Sequence, residues 1–189
     1  YRHCCPDAEI RFKQGNHEAR LQHLILDQAQ GLHKVRAAND DVPALDLRRL
    51  LHLDDLHIDY CPEDWEQAKT RLAPKLSVRH GFSTSKNAGQ AMLDKLSGST
   101  VQGHSHRAGQ TFRTAHTDDP DDPLQFRMAI EAGCACQIPG GLGYINGGEP
   151  DWLNGCAGFT IYPDGDFHAS LGVYLPGRFL APNGRRYSA

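Results

Sequence analysis

Five residues have the type and spacing to do chemistry: Asn16, His17, His80, His104 and His106. Imidazole nitrogens and an amide oxygen suit borderline divalent cations. A hydrolytic pair of such ions, held roughly 3.5–4 Å apart, needs rigid donors delivered from several loops. Asn16, His80, His104 and His106 are therefore read as metal ligands. The His104-x-His106 spacing lets both rings reach one site where the chain turns, and continued β geometry would put alternate residues on one face in any case. His17 is of another kind. It follows an amide ligand and precedes Glu18, an arrangement suited to a general acid whose ring is oriented by a carboxylate, so its expected task is to protonate a leaving group.

The surrounding pattern places each of these residues at the end of a strand. Residues 8–12 read as a short strand leading into Gly15-Asn16-His17-Glu18, after which Leu21, Leu24 and Ile25 recur at helical spacing. Residues 75–80 read as a buried strand ending in His80-Gly81. A helix bearing Ala88, Ala91, Met92 and Leu96 follows, then a strand through Thr100 and Val101 that ends at Gly103-His104-Ser105-His106. Carboxyl ends of strands are where open α/β sheets place their ligand sites. Between these motifs, residues 39–62 are Leu-rich and acidic. There Leu47, Leu50, Leu51 and Leu56 fit a helix that packs one face and exposes Asp54 and Asp55. Past His106 the pattern turns to β, with strands expected at 111–117, 127–135, 159–162 and 167–174, the last two joined by the Pro163-Asp164-Gly165-Asp166 turn. Loops are expected at 118–123 and 139–148.

The ordered set Gly-Asn-His-Glu, an isolated strand-end His, and Gly-His-x-His resembles the later motifs of the calcineurin-like metallophosphoesterases. The resemblance covers roughly residues 6–107. It extends more loosely to Glu131-Ala132-Gly133-Cys134 and Trp152-Leu153-Asn154-Gly155, which look like stretches in phage and bacterial members. It implies an α/β fold, the C-terminal portion of a four-layer α/β/β/α sandwich. The chain would be one domain, 1–189, with a motif-bearing α/β part at 1–107 and a mainly β part at 108–189. It also implies hydrolysis of phosphomonoesters or phosphodiesters by two divalent ions (Mn, Fe, Zn, Ni or Co, with Mn favoured). Asn16, His80 and His104 would hold one ion and His106 the other, a bridging hydroxide would be the nucleophile, and His17 would assist at phosphorus. The family's opening Asp-x-His and Gly-Asp-x-x-Asp motifs have no counterpart in the fourteen residues before Gly15, so activity is expected to need an upstream segment.

Plainer readings stand beside these. Asn16 could cap a helix, His80 could bond a backbone carbonyl, and His104/His106 could be a solvated turn. The remaining histidines read as ordinary surface or half-buried side chains, and Arg20 and Arg107 as solvent-exposed. Cys134-x-Cys136 reads as a core pair on one strand face, and Trp152 and Tyr144 as core aromatics or pocket walls. Two other function classes stay open: a catalytically inactive phosphoesterase remnant acting as a structural or interaction domain, and a zinc module built on His80, His104 and His106.

The bulk properties set outer limits. With 189 residues, 39% of them hydrophobic, the chain can bury a real core, and its net charge of -3 offers no basic surplus for indiscriminate binding to nucleic-acid backbone. The expected substrate is a phosphate ester, nucleotides and nucleic acid included. Six cysteines without a CxxC pair point to reduced thiols, and the absence of a long apolar run or signal pattern leads to an expected cytoplasmic location without membrane association.

Overall fold

The computed structural model describes residues 5–65, 67–121, 124–136, 138 and 150–188, so the expected 139–148 loop, Tyr144 included, lies outside the described residues. The chain mixes helices with sheets and divides into two compact units, Tyr1–Ala68 and Lys69–Ala189. No helix among the described residues is long and apolar enough to cross a membrane.

In the first unit, β1 (Arg11–Lys13) and β2 (Asp59–Cys61) pair in parallel, with α1 (Asn16–Gln28) following β1. Gly15 caps α1, and its N–H donates to the Glu18 carboxylate at 2.9 Å, which satisfies one of the amide donors a helix start leaves over. Asn16 is thus the first helical residue and not the cap. The first strand begins three residues later than the pattern at 8–12 predicts, and Leu24 is exposed where helical spacing predicts a buried face. The Leu-rich stretch departs further, because α2 is only Leu47–Leu50. His52 and His57 take left-handed backbone angles (φ 52° and 53°), which a continuing helix does not allow. Leu53 is consequently the buried leucine there, while Leu50, Leu51 and Leu56 are exposed.

In the second unit every expected strand and helix forms, the one expected at 127–135 running instead over Leu124–Ala132, and three strands appear that the pattern does not announce, at Thr70–Ala73, Arg178–Leu180 and Arg186–Ser188. β3 (Thr70–Ala73) and β4 (Leu76–Val78) form an antiparallel pair, α3 (Ala88–Lys95) crosses over, and β5 (Ser99–Gln102) returns parallel to β4. β6 (Ala108–His116) and β7 (Leu124–Ala132) complete a five-stranded sheet of order β3-β4-β5-β7-β6, in which β5 and β7 are also parallel. A second, antiparallel sheet has the order β11-β10-β9-β8, from β8 (Gly155–Ile161), β9 (Phe167–Leu175), β10 (Arg178–Leu180) and β11 (Arg186–Ser188).

Alternation along β7 sorts the layers. Met128 and Ile130 join Leu76 and Val101 in a core shared with Phe167 and Ala169 of β9, so that face meets the second sheet. Ala129, one residue out of phase, packs on Met92 and Leu93 of α3. The second unit therefore stacks a helix on a sheet on a sheet. Each fully buried leucine or isoleucine in such a core contributes about 1.5–3 kcal/mol relative to exposure. Two arginines fasten the end of α3 to the sheet: Arg113 donates to the Leu93 carbonyl at 3.1 Å, and Arg127 donates to the Leu96 carbonyl at 2.6 Å. These bonds satisfy carbonyls that the helix itself cannot.

Candidate functional site

Parallel pairing brings the two histidine-bearing strand ends side by side. Val78 of β4 pairs with Val101 of β5, so His80 and the turn after Gln102 emerge at the same edge of the sheet. The His80 carbonyl accepts from both Gly103 N–H and His104 N–H, each at 3.1 Å, and the rings close above it with His80 Nε2 3.0 Å from His104 Nδ1. Gly81 makes this approach feasible. Its φ of +116° suits glycine, and a Cβ there would lie 2.6 Å from Gln102 Oε1 and 3.0 Å from the His104 Cβ.

His106 completes a tight turn. Its N–H donates to the Gly103 carbonyl at 2.9 Å, and its own backbone is left-handed at φ 60°, a conformation in which non-glycine residues tend to mark strained, functional positions. Its ring stands edge-on to the Trp152 indole, with centroids 4.3 Å apart and planes at 80°. Leu153 N–H donates to the His106 carbonyl, and Gly133 N–H to the Arg107 carbonyl, so the turn is sewn to both neighbouring segments. Trp152 is thus a wall for His106.

Beneath the rings lies a polar layer that the sequence does not announce. Gln102 and Glu131 are register partners on β5 and β7 and are both buried, as is Ser105. The Gln102 amide, Ser105 Oγ and Thr100 Oγ1 have no hydrogen-bond partner among the described residues. Each such burial costs about 1–3 kcal/mol, an expense that core packing alone would not retain. Arg107 departs from the expected surface position. Only 16% of its side chain is exposed, its Nε lies 3.7 Å from Glu131 Oε1, and its Nη2 donates to the Thr84 carbonyl at 3.1 Å and to that of Ser85. It thereby holds the loop after Gly81 against β7. Arg20 is exposed, as its pattern predicts.

The expected Cys134/Cys136 pair also sits at this end. β7 stops at Ala132 because Gly133 turns the chain at φ +83°, yet the two sulfurs are 3.5 Å apart. The Cys134 thiol donates to Asn154 Oδ1 at 3.4 Å, and burial pushes it up to about 11.

Of the sequence-predicted ligands, His80 and His104 are brought together, and His106 follows two residues on with its ring against Trp152. Asn16 and His17 occupy the first turn of α1 in the other unit, Asn16 half-buried and His17 exposed. Among the described residues no three His, Cys, Asp or Glu side chains gather as a metal triad. The His80–His104 pair itself fits a cation: an ion about 2.0–2.1 Å from each nitrogen would see them roughly 90–100° apart, within reach of ordinary coordination angles. Glu131 could have been noticed as the one charge interrupting an apolar run, whereas nothing in the sequence distinguishes Gln102 or Ser105. No protein-family model, curated protein or solved structure matches the chain.

Proposed function

We propose that the chain belongs to a metal-dependent phosphoesterase of the calcineurin-like kind, hydrolysing phosphomonoesters or phosphodiesters. The observation that carries this reading is the pair of imidazole nitrogens, His80 Nε2 and His104 Nδ1, held 3.0 Å apart at the carboxyl ends of two parallel strands. His80 and His104 would hold a divalent ion, manganese being favoured. His106 would serve a neighbouring ion, and Asn16 a further ligand position on the strength of the Gly15-Asn16-His17-Glu18 motif. When bound, such ions supply charge to polarise a phosphoryl oxygen and to acidify water. The chain's own part is to fix the imidazoles through the His80 carbonyl and Gly81, to brace the His106 turn against Trp152, and, at His17, to give a proton to the leaving oxygen. The reading brings with it a four-layer α/β/β/α sandwich, of which the helix and two stacked sheets of the second unit support three layers.

A second reading, a chain that holds one cation without turnover, rests on one specific observation: His80 and His104 are the two expected ligands whose ring nitrogens the structure brings together, 3.0 Å apart. The two readings separate in one experiment: bound metal per chain after manganese loading, measured with hydrolysis of bis(4-nitrophenyl) phosphate and 4-nitrophenyl phosphate. Turnover lost in His104→Ala, with two ions per chain, supports the enzyme. One ion or none, without turnover, supports the remnant.

A further inference from the structure

The opposite end of the same strands carries a second concavity, independent of the histidine pair. It occupies about 600 Å³ around the amino ends of β5 and β7 and along β4, where it takes in the Arg79 side chain just past the strand's last residue, a volume within the range of pockets that take small organic ligands. Six cationic side chains line it, Lys69, Arg71, Lys75, Arg79, Lys95 and Arg127, against one carboxylate, Asp166. In a chain whose net charge is -3, this is a local reversal of sign.

Internal contacts consume little of that charge. Asp166 pairs with Lys75, at 3.2 Å. Lys95 lies over the Phe82 ring at 4.9 Å and Arg127 donates to a neutral carbonyl, and neither is in an ion pair among the described residues. Lys69 and Arg71 have no carboxylate partner among the described residues. Arg79 is the most telling, since its Nε is buried with no hydrogen-bond partner among the described residues, although a guanidinium is built to donate in a planar fork. The negative end of α3 faces this region, but its last carbonyls already accept from Arg113 and Arg127, which blunts its repulsion of an anion. Phe126 lines the same pocket and is half exposed, a flat apolar surface beside a cluster of cations.

We propose that this pocket binds a nucleoside phosphate, the phosphate on the arginine and lysine cluster and the base against Phe126, either as a link of single-stranded nucleic acid or as a free nucleotide. Inorganic phosphate would use only the cations. An aromatic face at the rim of a cationic groove gives a base a surface to stack on, and that contact distinguishes the nucleoside from a bare anion.

The test is anisotropy of a fluorescein-labelled oligothymidylate with the full chain, in EDTA so that hydrolysis plays no part, at salt from about 50 to 200 mM. Saturable binding is expected to weaken about tenfold in Phe126→Ala. In a Lys69→Gln/Arg71→Gln variant it should weaken while the log–log salt slope shrinks by about 1.4, two single-strand phosphate contacts. Arg36→Gln/Arg178→Gln, which removes the same charge from exposed positions outside the pocket, should change neither. Displacement by AMP marks the free nucleotide as the ligand, and displacement by unlabelled oligothymidylate alone marks the strand. The proposal is overturned if no binding saturates, if Phe126→Ala binds as the parent does, if the two double variants behave alike, or if inorganic phosphate competes as well as AMP.

Discussion

The two ends of the parallel strands β4, β5 and β7 are made from one sheet and carry opposite kinds of chemistry. At the carboxyl end the functional groups are packed tightly: two imidazoles in contact, buried amide and hydroxyl groups, and the largely buried Arg107–Glu131 pair. At the amino end they are long cationic side chains around an open volume, with a single carboxylate among the described lining residues. The difference follows from backbone geometry. At the carboxyl end the strands run directly into turns fixed by Gly81, Gly103 and Gly133, which aim short side chains at one point. At the amino end long basic side chains from several segments surround the volume, some of them, such as Lys69 and Arg71, with no carboxylate partner among the described residues. The first end is therefore expected to be sensitive to shape, and the second to charge and salt.

That contrast can be broken or sharpened in a graded series. The largest effect is expected at Gly81→Ala, where a methyl would press on Gln102 and His104 at a positive φ. A loss of about 3 kcal/mol in unfolding free energy, measured in urea, is expected, together with loss of metal binding by the histidine pair. A fully stable Gly81→Ala protein would mean that the turn is not shape-limited.

Next comes the Cys134 thiol, raised from 9.0 to about 11, first by burial. Only the thiolate is alkylated, so at pH 8 iodoacetamide should modify Cys134 about a hundredfold more slowly than an ordinary cysteine, with the rate climbing until the pH passes about 11. A plateau near pH 9 would contradict this environment. Glu131→Gln should cost less, about 1–2 kcal/mol, since it leaves the largely buried Arg107 facing a neutral amide while the Thr84 and Ser85 bonds persist. The smallest effect belongs to the amino end. Lys75→Gln removes an exposed pair with Asp166, and stability should change by under about 0.5 kcal/mol. A larger loss there would erase the proposed distinction between a shape-limited end and a charge-limited one.

Legibility in the sequence follows the same division of forces. The β4–α3–β5 segment is readable because apolar runs and helical spacing decide its layers, and Met92 and Val101 are buried as their positions predict. The strand-end placement of His80 and His104 is readable for the same reason. Their contact is not, because it depends on the register of β4 against β5 and on the φ of Gly81. The Gln102–Glu131 layer is hidden more deeply, since the two residues are far apart in sequence and meet only through parallel pairing of β5 with β7. In the first unit the leucine spacing misleads, because the left-handed turns at His52 and His57 override periodicity and select Leu53 for burial. The cationic pocket has no motif at all. Its residues come from five separate stretches, each of which reads as a solvated face.

The most direct test of the central claim, that His80 and His104 form one cation site, is the long-range ¹H–¹⁵N spectrum of the imidazoles during titration with zinc, a diamagnetic stand-in for manganese. The account predicts that His80 Nε2 and His104 Nδ1 shift together, with one stoichiometry, and that neither responds in the other's alanine variant. Independent shifts, or none at saturating zinc, would contradict it.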